Sequence, residues 1–286
     1  ISSSFELPGR CSFFSSLILR RGQAVLLLEL PGEGARAGER QQIGQRGDGR
    51  RIVVQNIAFQ AVDYILRVLK KNMVFGMTWG RAMHEFVEQL AKDERLRSLS
   101  FQNVKVVPFL GTPGAIQSDS WNTTTYSNTL ATKVGNLLHC ASYNLSAPMY
   151  VEGTKEKELI ESIDEIAKVL HMAETADIAL IGIGSMQDDS SIIKAEIRTK
   201  EEYKELVRKG AVGEIVGRIY DKNGQTVDED LKRKMVGISL DKIAKIPVRV
   251  GMSYGKDKIE AIKGAIAGGL VNVLVTDVPT AELLLK

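Results

Sequence analysis

From Ile52 onward, apolar residues recur at spacings that alternate between helices and buried strands. Across Asn56–Lys71 they fall at helical intervals. The apolar run Met73–Thr78 then predicts a buried strand, and Arg81–Lys92 predicts another helix. The alternation continues to the C-terminus, with strands predicted at Asn103–Val107, Ala176–Ile183, Pro247–Met252 and Val271–Thr276, and helices at Thr125–Leu138, Lys155–His171, Lys256–Gly268 and from Pro279 onward.

The stretch Val212–Tyr220 has a different pattern. It is followed by Asn223-Gly224, a dipeptide typical of tight hairpin turns, and then by Thr226 and Val227. We therefore expect a hairpin that turns at Asn223 and Gly224.

Unbroken apolar strands that alternate with helices predict an α/β fold in three layers, α/β/α, with a mostly parallel sheet. Ligands of such sheets bind beyond the carboxyl ends of the strands, where loops and helix N-termini meet. The turns that follow the five predicted strands are therefore the candidates for a binding site.

The first of these turns is Thr78-Trp79-Gly80-Arg81. Gly80 lets the main chain approach a ligand, and Arg81 places a forked cation at a helix start, which suits a phosphate or a vicinal diol. The alternative is that Trp79 is a packing residue and Arg81 an ordinary charge at a helix start.

The other four turns are less specific. Gly111–Gly114 has the composition of a main-chain nest for an anion, and Gly182–Ser185 is a strand end made of small residues. Tyr254–Lys258 places two lysines near a helix N-terminus, where the helix dipole disfavours them, although each can simply be solvated. Thr276-Asp277 has the simpler reading of a helix cap. Together the five turns predict an anion or sugar pocket.

Composition changes near residue 52. The first lysine in the chain is Lys70, whereas residues 1–51 are rich in arginine and glycine and carry few apolar anchors after Gly32. This leader is either an arm that contacts nucleic acid or a poorly ordered or aberrant segment. We favour the second reading because glycine and acidic residues dilute the positive charge. No helix-turn-helix pattern is visible before Arg51.

Whole-chain properties exclude several classes of protein. The net charge of +3 is too weak to indicate a nucleic-acid surface by itself, and no apolar run has the length of a membrane-spanning helix. Arg20 and Arg21 follow an apolar run where a secretory signal would have its charge before the run. We expect a cytoplasmic protein with no cofactor. We also expect no metal, because the cysteines and histidines lack the spacing of metal ligands; they are Cys11, Cys140, His84, His139 and His171.

Several stretches in order resemble one known family. They are Val74–Arg81, Val106–Gly111, Tyr126–Ala131, Ala176–Ser185, Gly210–Glu214 with Asp221 and Gly224 after it, and Lys258–Ile262 with Leu274–Asp277. Across residues 52–286 the chain is similar to the sugar-binding domain of SorC-type (SorC/DeoR) bacterial transcriptional regulators.

This resemblance implies a fold like that of ribose-5-phosphate isomerase and glucosamine-6-phosphate deaminase. It implies a sugar or sugar-phosphate effector, operator DNA bound through a helix-turn-helix domain not recognisable in this chain, and a homodimer or homotetramer. It also implies site residues by position. A phosphate or equivalent anion would be held by Thr78, Trp79, Gly80, Arg81 and Lys258. Sugar hydroxyls would face Tyr126, Asn128, Glu214 and Asp221, and the floor would be formed by Gly111 and Thr112. The turns after the predicted strands add Gly184, Ser185 and Asp277 to the expected site.

Two departures from the family pattern bear on chemistry. Leu110 stands where some members have a lysine or arginine, so the resemblance implies non-covalent binding without a Schiff base. Gly111-Thr112-Pro113 replaces a usual glycine pair, which narrows the expected nest.

The main expectation is a non-enzymatic effector-binding domain. A sugar-phosphate isomerase or deaminase on the same fold is the alternative, but no Asp-Gly-x-Asp-Glu run supplies its base, and no partner for Glu214 is evident. A third reading, a binding module without DNA contact, follows if the leader is genuine.

Overall fold

A computed structural model describes residues 5–7, 11–20, 23–29, 49–113, 123–188 and 190–286, with side chains from Ile52 onward. The strands are β1 (Phe5–Leu7), β2 (Cys11–Arg20), β3 (Gln23–Glu29), β4 (Val74–Met77), β5 (Lys105–Pro108), β6 (Ala141–Ser142), β7 (Ile178–Gly182), β8 (Gly184–Ser185), β9 (Ala211–Ile215), β10 (Arg218–Asp221), β11 (Val248–Met252) and β12 (Val273–Asp277).

The helices are α1 (Gly49–Val68), α2 (Arg81–Leu90), α3 (Ser127–Leu138), α4 (Thr154–Glu161), α5 (Asp164–Glu174), α6 (Ser191–Lys194), α7 (Lys200–Arg208), α8 (Glu229–Lys234), α9 (Leu240–Ile243), α10 (Ile259–Ala267) and α11 (Val278–Leu284). Among the described residues, no helix has the length and apolar character needed to cross a bilayer.

Six parallel strands form the sheet that positions the site, in the order β12-β11-β7-β4-β5-β6. Helices α1, α2 and α3 cover one face through residues such as Ile65, Phe86 and Leu130. On the other face, α5, α10 and α11 pack through residues that include Ala173 and Ile262. Both faces of the strands are therefore buried, and the predicted three-layer α/β/α architecture is confirmed.

The amino-terminal strands extend this sheet. β3 pairs antiparallel with β12, and β2 pairs antiparallel with β1 and β3. Residues 30–48 lie outside the described residues, so the predicted character of residues 1–51 and the domain boundary at residue 52 stay predictions. Helix α1 begins at Gly49 and not near Asn56 as the periodicity predicts.

The single helix predicted over Lys155–His171 is wrong, because two helices occupy the segment. α4 ends at Glu161, and Ile163 is extended with φ −65° and ψ 122°. Asp164 and Glu165 then form the first turn of α5, where carboxylates are favoured by the helix dipole. The acidic pair restarts the helix, although the apolar periodicity runs through the break.

The predicted position of the hairpin turn is also wrong. β9 and β10 pair antiparallel, and the chain reverses at Val216 and Gly217, both with positive φ. The Asn223-Gly224 turn exists, but it follows β10 and joins Tyr220 to Thr226 by one bridge. Because positive φ is unfavourable for β-branched residues, a valine at position 216 does not predict a turn.

We expect Gly76→Ala to lower the free energy of unfolding by about 1–3 kcal/mol, because the added methyl group overlaps the ring of buried Phe109. Urea unfolding measures the change. The double variant Gly76→Ala with Phe109→Leu should lose less than the sum of the single variants, since the smaller side chain makes room. Strict additivity would contradict this packing.

Candidate functional site

The carboxyl ends of β4, β5, β7, β11 and β12 lie at one edge of the sheet, because these strands are parallel. The loops that leave them carry most of the predicted site residues. A short three-stranded sheet, β10-β9-β8, is attached at the same edge, since β8 follows β7 after one residue. Glu214 on β9 is therefore brought to the edge by its pairing with Gly184 on β8.

The first loop is fixed by hydrogen bonds to β7. The Thr78 N–H donates to the Leu180 carbonyl at 3.1 Å, and the buried Thr78 hydroxyl accepts from the Gly182 N–H at 3.1 Å. Thr78 therefore holds the ends of β4 and β7 together.

Gly80 directs the chain into α2. Its φ is +104°, its N–H donates to the Thr125 carbonyl at 3.0 Å, and a Cβ added there would have open space for 4 Å around it. Exposed Arg81 begins α2. A glycine with open space beside it, at a helix N-terminus that carries a cation, is suited to an anion. Trp79 is only 7% exposed and packs in the core, as the alternative reading held.

The second loop is held from two sides. The Gly111 N–H donates to the Val236 carbonyl at 3.1 Å, and the Thr112 N–H donates to the Ala147 carbonyl at 2.9 Å. The Asn128 amide nitrogen donates to the Thr112 hydroxyl at 2.8 Å.

The Asn128 side chain is largely committed to the protein. Its nitrogen also donates to the Leu145 carbonyl at 3.1 Å, and its oxygen accepts from the Leu145 N–H at 2.9 Å. It therefore positions the Thr112 loop. Tyr126, half-buried, is the cap residue at the start of α3.

Glu214 is the most buried charged group of the site, at 6% exposure. One carboxylate oxygen accepts from the Gly217 N–H at 3.2 Å, and the other accepts from the Ser190 hydroxyl at 3.4 Å. Burial raises the pKa of Glu214, and the Gly217 N–H, the positive charge of Lys258 and the Ser190 hydroxyl oppose that rise. Lys258 is half-buried and directly precedes α10. Its positive charge therefore acts on the buried carboxyl of Glu214.

Gly184 and Ser185 line the same corner. A Cβ at Gly184 would lie 3.4 Å from a carboxylate oxygen of Glu214, so this glycine sits directly against the acid. The Ser185 hydroxyl is buried and has no hydrogen-bond partner within the part of the chain that the structure describes.

Two predicted residues have other roles. A carboxylate oxygen of Asp221 accepts from the N–H groups of Asn223 at 2.9 Å and Gln225 at 2.8 Å, which closes the turn after β10. The Asp221 main chain packs against Gly264, more than one turn along α10 from its start beside Lys258. The Asp221 carboxylate thus closes its own turn, and its predicted place beside Glu214 stays a prediction. Asp277 caps α11 by accepting from the Thr280 N–H at 3.1 Å, which is its simpler reading.

Sequence reasoning missed Ser190. Its hydroxyl accepts from the Ile192 N–H at 3.1 Å, which caps α6, and donates to Glu214. Serine directly before an apolar helical run is an N-cap signal, and it would have marked this residue.

A cavity of about 660 Å³ lies elsewhere, beside the amino end of β5 and the carboxyl end of α3. Its lining residues are Asn103, Val104, Lys105, Gly135, Asn136, His139, Cys140 and Ala141. Burial raises the pKa of the Cys140 thiol to about 11, which makes it a poor nucleophile. None of the predicted site residues lines this cavity.

Comparison with known proteins places these features in context. A profile of the family described as "Putative sugar-binding domain" matches residues 43–286. The chain is 30% identical over 222 residues to the sorbitol operon regulator of Klebsiella pneumoniae, covering 77% of this chain and 67% of the regulator.

A second relative is the transcriptional regulator LsrR of Escherichia coli O9:H4, 30% identical over 230 residues, which cover 79% of this chain and 67% of LsrR. The crystal structure of the full-length sorbitol operon regulator SorC from Klebsiella pneumoniae matches with a TM-score of 0.72 and 27% identity. The match covers 82% of this chain and 73% of that one.

We expect Glu214→Gln to become more stabilising, relative to the parent protein, as pH rises. A raised folded-state pKa means that the folded protein holds this proton more tightly, so the parent loses stability from the ordinary glutamate pKa of about 4.3 up to the raised value. Urea unfolding between pH 4 and 8 measures the difference, with Glu282→Gln as the control, because Glu282 is an exposed residue of α11. If the free energy of unfolding of the variant fell relative to that of the parent as pH rises, burial would not raise the pKa of Glu214.

Proposed function

Because this chain belongs to the family of sugar-binding domains of SorC-type transcriptional regulators, we propose that it binds a sugar or sugar phosphate non-covalently as an effector. Occupancy of the site would change how a helix-turn-helix domain of the regulator holds operator DNA. The assembly proposed with it is a cytoplasmic homodimer or homotetramer.

One observation carries this proposal: cations at two helix starts and a buried carboxyl lie at one edge of the sheet. Arg81 begins α2, Lys258 precedes α10, and Glu214 lies on the attached hairpin. Helix N-termini and cations favour an anionic group, whereas a carboxylate accepts hydrogen bonds from hydroxyl groups. A phosphorylated polyol offers both kinds of group.

The proposed binding is non-covalent at the position where some family members carry an amine, because that position is Leu110. Its side chain is fully buried, at 0% exposure, in the core below the second loop. An aldehyde sugar needs an amine to form a Schiff base, and leucine has none.

A non-enzymatic role is proposed because the relatives are an operon regulator and a transcriptional regulator, and Glu214 is assigned to binding. Both carboxylate oxygens already accept hydrogen bonds from the protein, from Gly217 and Ser190. A carboxylate held in this way is positioned to accept further hydrogen bonds from ligand hydroxyl groups through its remaining lone pairs. Turnover of ribose 5-phosphate or glucosamine 6-phosphate at enzyme-like rates would contradict this part of the proposal.

We expect a thermal-shift panel of sugars and sugar phosphates to contain at least one compound that raises Tm. A ligand at one hundred times its Kd stabilises the folded state by about 2.7 kcal/mol. Inorganic sulfate at equal ionic strength controls for salt effects. No shift with any compound in the panel would refute the effector role.

We expect Arg81→Ala and Lys258→Ala each to raise the Kd of a stabilising sugar phosphate about tenfold or more, since each removes a charge-assisted contact. Isothermal titration calorimetry measures the change. Lys263→Ala is the matched control, because Lys263 is an exposed lysine further along α10. Unchanged affinity in both site variants would disprove the assignment of the anion subsite.

A further inference from the structure

Arg218 is an arginine buried to 3% exposure whose hydrogen-bond acceptors are main-chain carbonyls. It is the first residue of β10. Its Nε donates to Ile238 at 3.4 Å, one terminal nitrogen donates to Lys232 at 3.2 Å, and the other donates to Met235 at 3.1 Å and Gly237 at 3.0 Å. The guanidinium thus binds carbonyl groups of the segment formed by residues 232–238. We call this segment the strap.

Placing a guanidinium here is costly. Burial lowers the pKa of Arg218 to about 10, and the negative charges of Glu161 and Asp241 oppose this. The side chain is still charged at neutral pH. Carbonyls at the carboxyl end of α8, including that of Lys232, carry partial negative charge toward it. A leucine or methionine would fill the same space without this cost, so the five-donor fork has a task beyond filling volume.

The strap is joined to the second ligand loop. The Val236 carbonyl accepts from the Gly111 N–H at 3.1 Å, and the Ile238 N–H donates to the Phe109 carbonyl at 2.9 Å. Gly237 has φ +148°, and a Cβ there would lie 2.6 Å from the Phe109 oxygen. The two segments are therefore in contact too close for any side chain at residue 237.

On its other side Arg218 adjoins the turn that holds Glu214. Gly217 directly precedes it and donates its N–H to Glu214 at 3.2 Å. Val216, with φ +54° and 2% exposure, is held in a conformation that β-branched residues avoid. Such a conformation persists only where the surroundings fix it, and the anchoring of the next strand by Arg218 is one such constraint.

We propose that Arg218 is a positioning residue that fixes the Glu214 turn relative to the Gly111–Thr112 loop, so that the effector meets both as one preorganised surface. The inference rests on the proposed function, because it assigns Arg218 a part in binding the same effector. Arg218 makes its contacts through the strap and does not touch the ligand. Lysine cannot replace it, since one ammonium group does not span four carbonyls.

The first test uses the ligand-free protein, so it does not depend on knowing the effector. Hydrogen–deuterium exchange is measured for Arg218→Lys, Gly237→Ala and the control Leu69→Ala. Leu69 is a buried residue just after α1 in the opposite layer, and its truncation lowers stability without touching the strap. We expect faster exchange at the amides of both Gly111 and Gly217 in Arg218→Lys, and at Gly111 in Gly237→Ala, but at neither in Leu69→Ala.

The second test measures binding of ribose 5-phosphate, glucose 6-phosphate and inorganic phosphate by calorimetry, well below the Tm of each variant. For a probe that binds the parent protein, we expect Arg218→Lys and Gly237→Ala to raise Kd about 3- to 30-fold, with Leu69→Ala unchanged.

The two tests separate the two claims. If no probe binds the parent, the proposed function is weakened, while the exchange pattern still decides the role of Arg218. Unchanged exchange at Gly111 and Gly217 in Arg218→Lys, or an equal increase in Leu69→Ala, would overturn the positioning role. Gly237→Ala also covers the case in which Arg218→Lys does not fold.

Discussion

The parallel pairing of β7 with both β4 and β11 is the interaction on which the site depends. It sets the carboxyl ends of three strands side by side, and the Thr78 hydroxyl reinforces it by accepting from the Gly182 N–H. The loops that carry Arg81 and Lys258, and the hairpin that carries Glu214, all leave from this edge. Because these strands are buried on both faces, their register tolerates little change, and the loops begin from fixed points.

Within that frame, the chemistry of the site is set by burial. Glu214 has little access to water, and its protein partners are the N–H of Gly217, the hydroxyl of Ser190 and the nearby charge of Lys258. The proposed ligand would bring hydroxyl donors to the carboxyl and an anion to the lysine. The proposed ligand therefore carries both kinds of group, as a sugar phosphate does.

Sequence periodicity predicted most of the fold, because the central strands are mainly apolar. It failed where a tertiary constraint overrides local preference. The reversal at Val216 gives no turn signal, and the break before Asp164 lies inside a continuous apolar pattern. In the site, residue type predicted Arg81 and the family resemblance implied Glu214, but neither could show that Asp221 closes its own turn or that Asn128 is committed to the Thr112 loop.

The role of Arg218 could not be predicted from the sequence for the same reason. Its acceptors are main-chain carbonyls 14 to 20 residues away in the chain. Every residue has such a carbonyl, so residue types do not show which ones Arg218 reaches. The strap that it holds connects two parts of the site that are distant in the chain.

The most direct test of the account is an exchange footprint of the parent protein with and without a stabilising sugar phosphate. Hydrogen–deuterium exchange should slow at residues 78–81, 109–113, 184–188, 214–217 and 253–258, which lie at the carboxyl edge of the sheet. The cavity around Asn103 and His139 should stay unchanged. Protection centred on that cavity, with none at the carboxyl edge, would contradict effector binding at the carboxyl edge of the sheet.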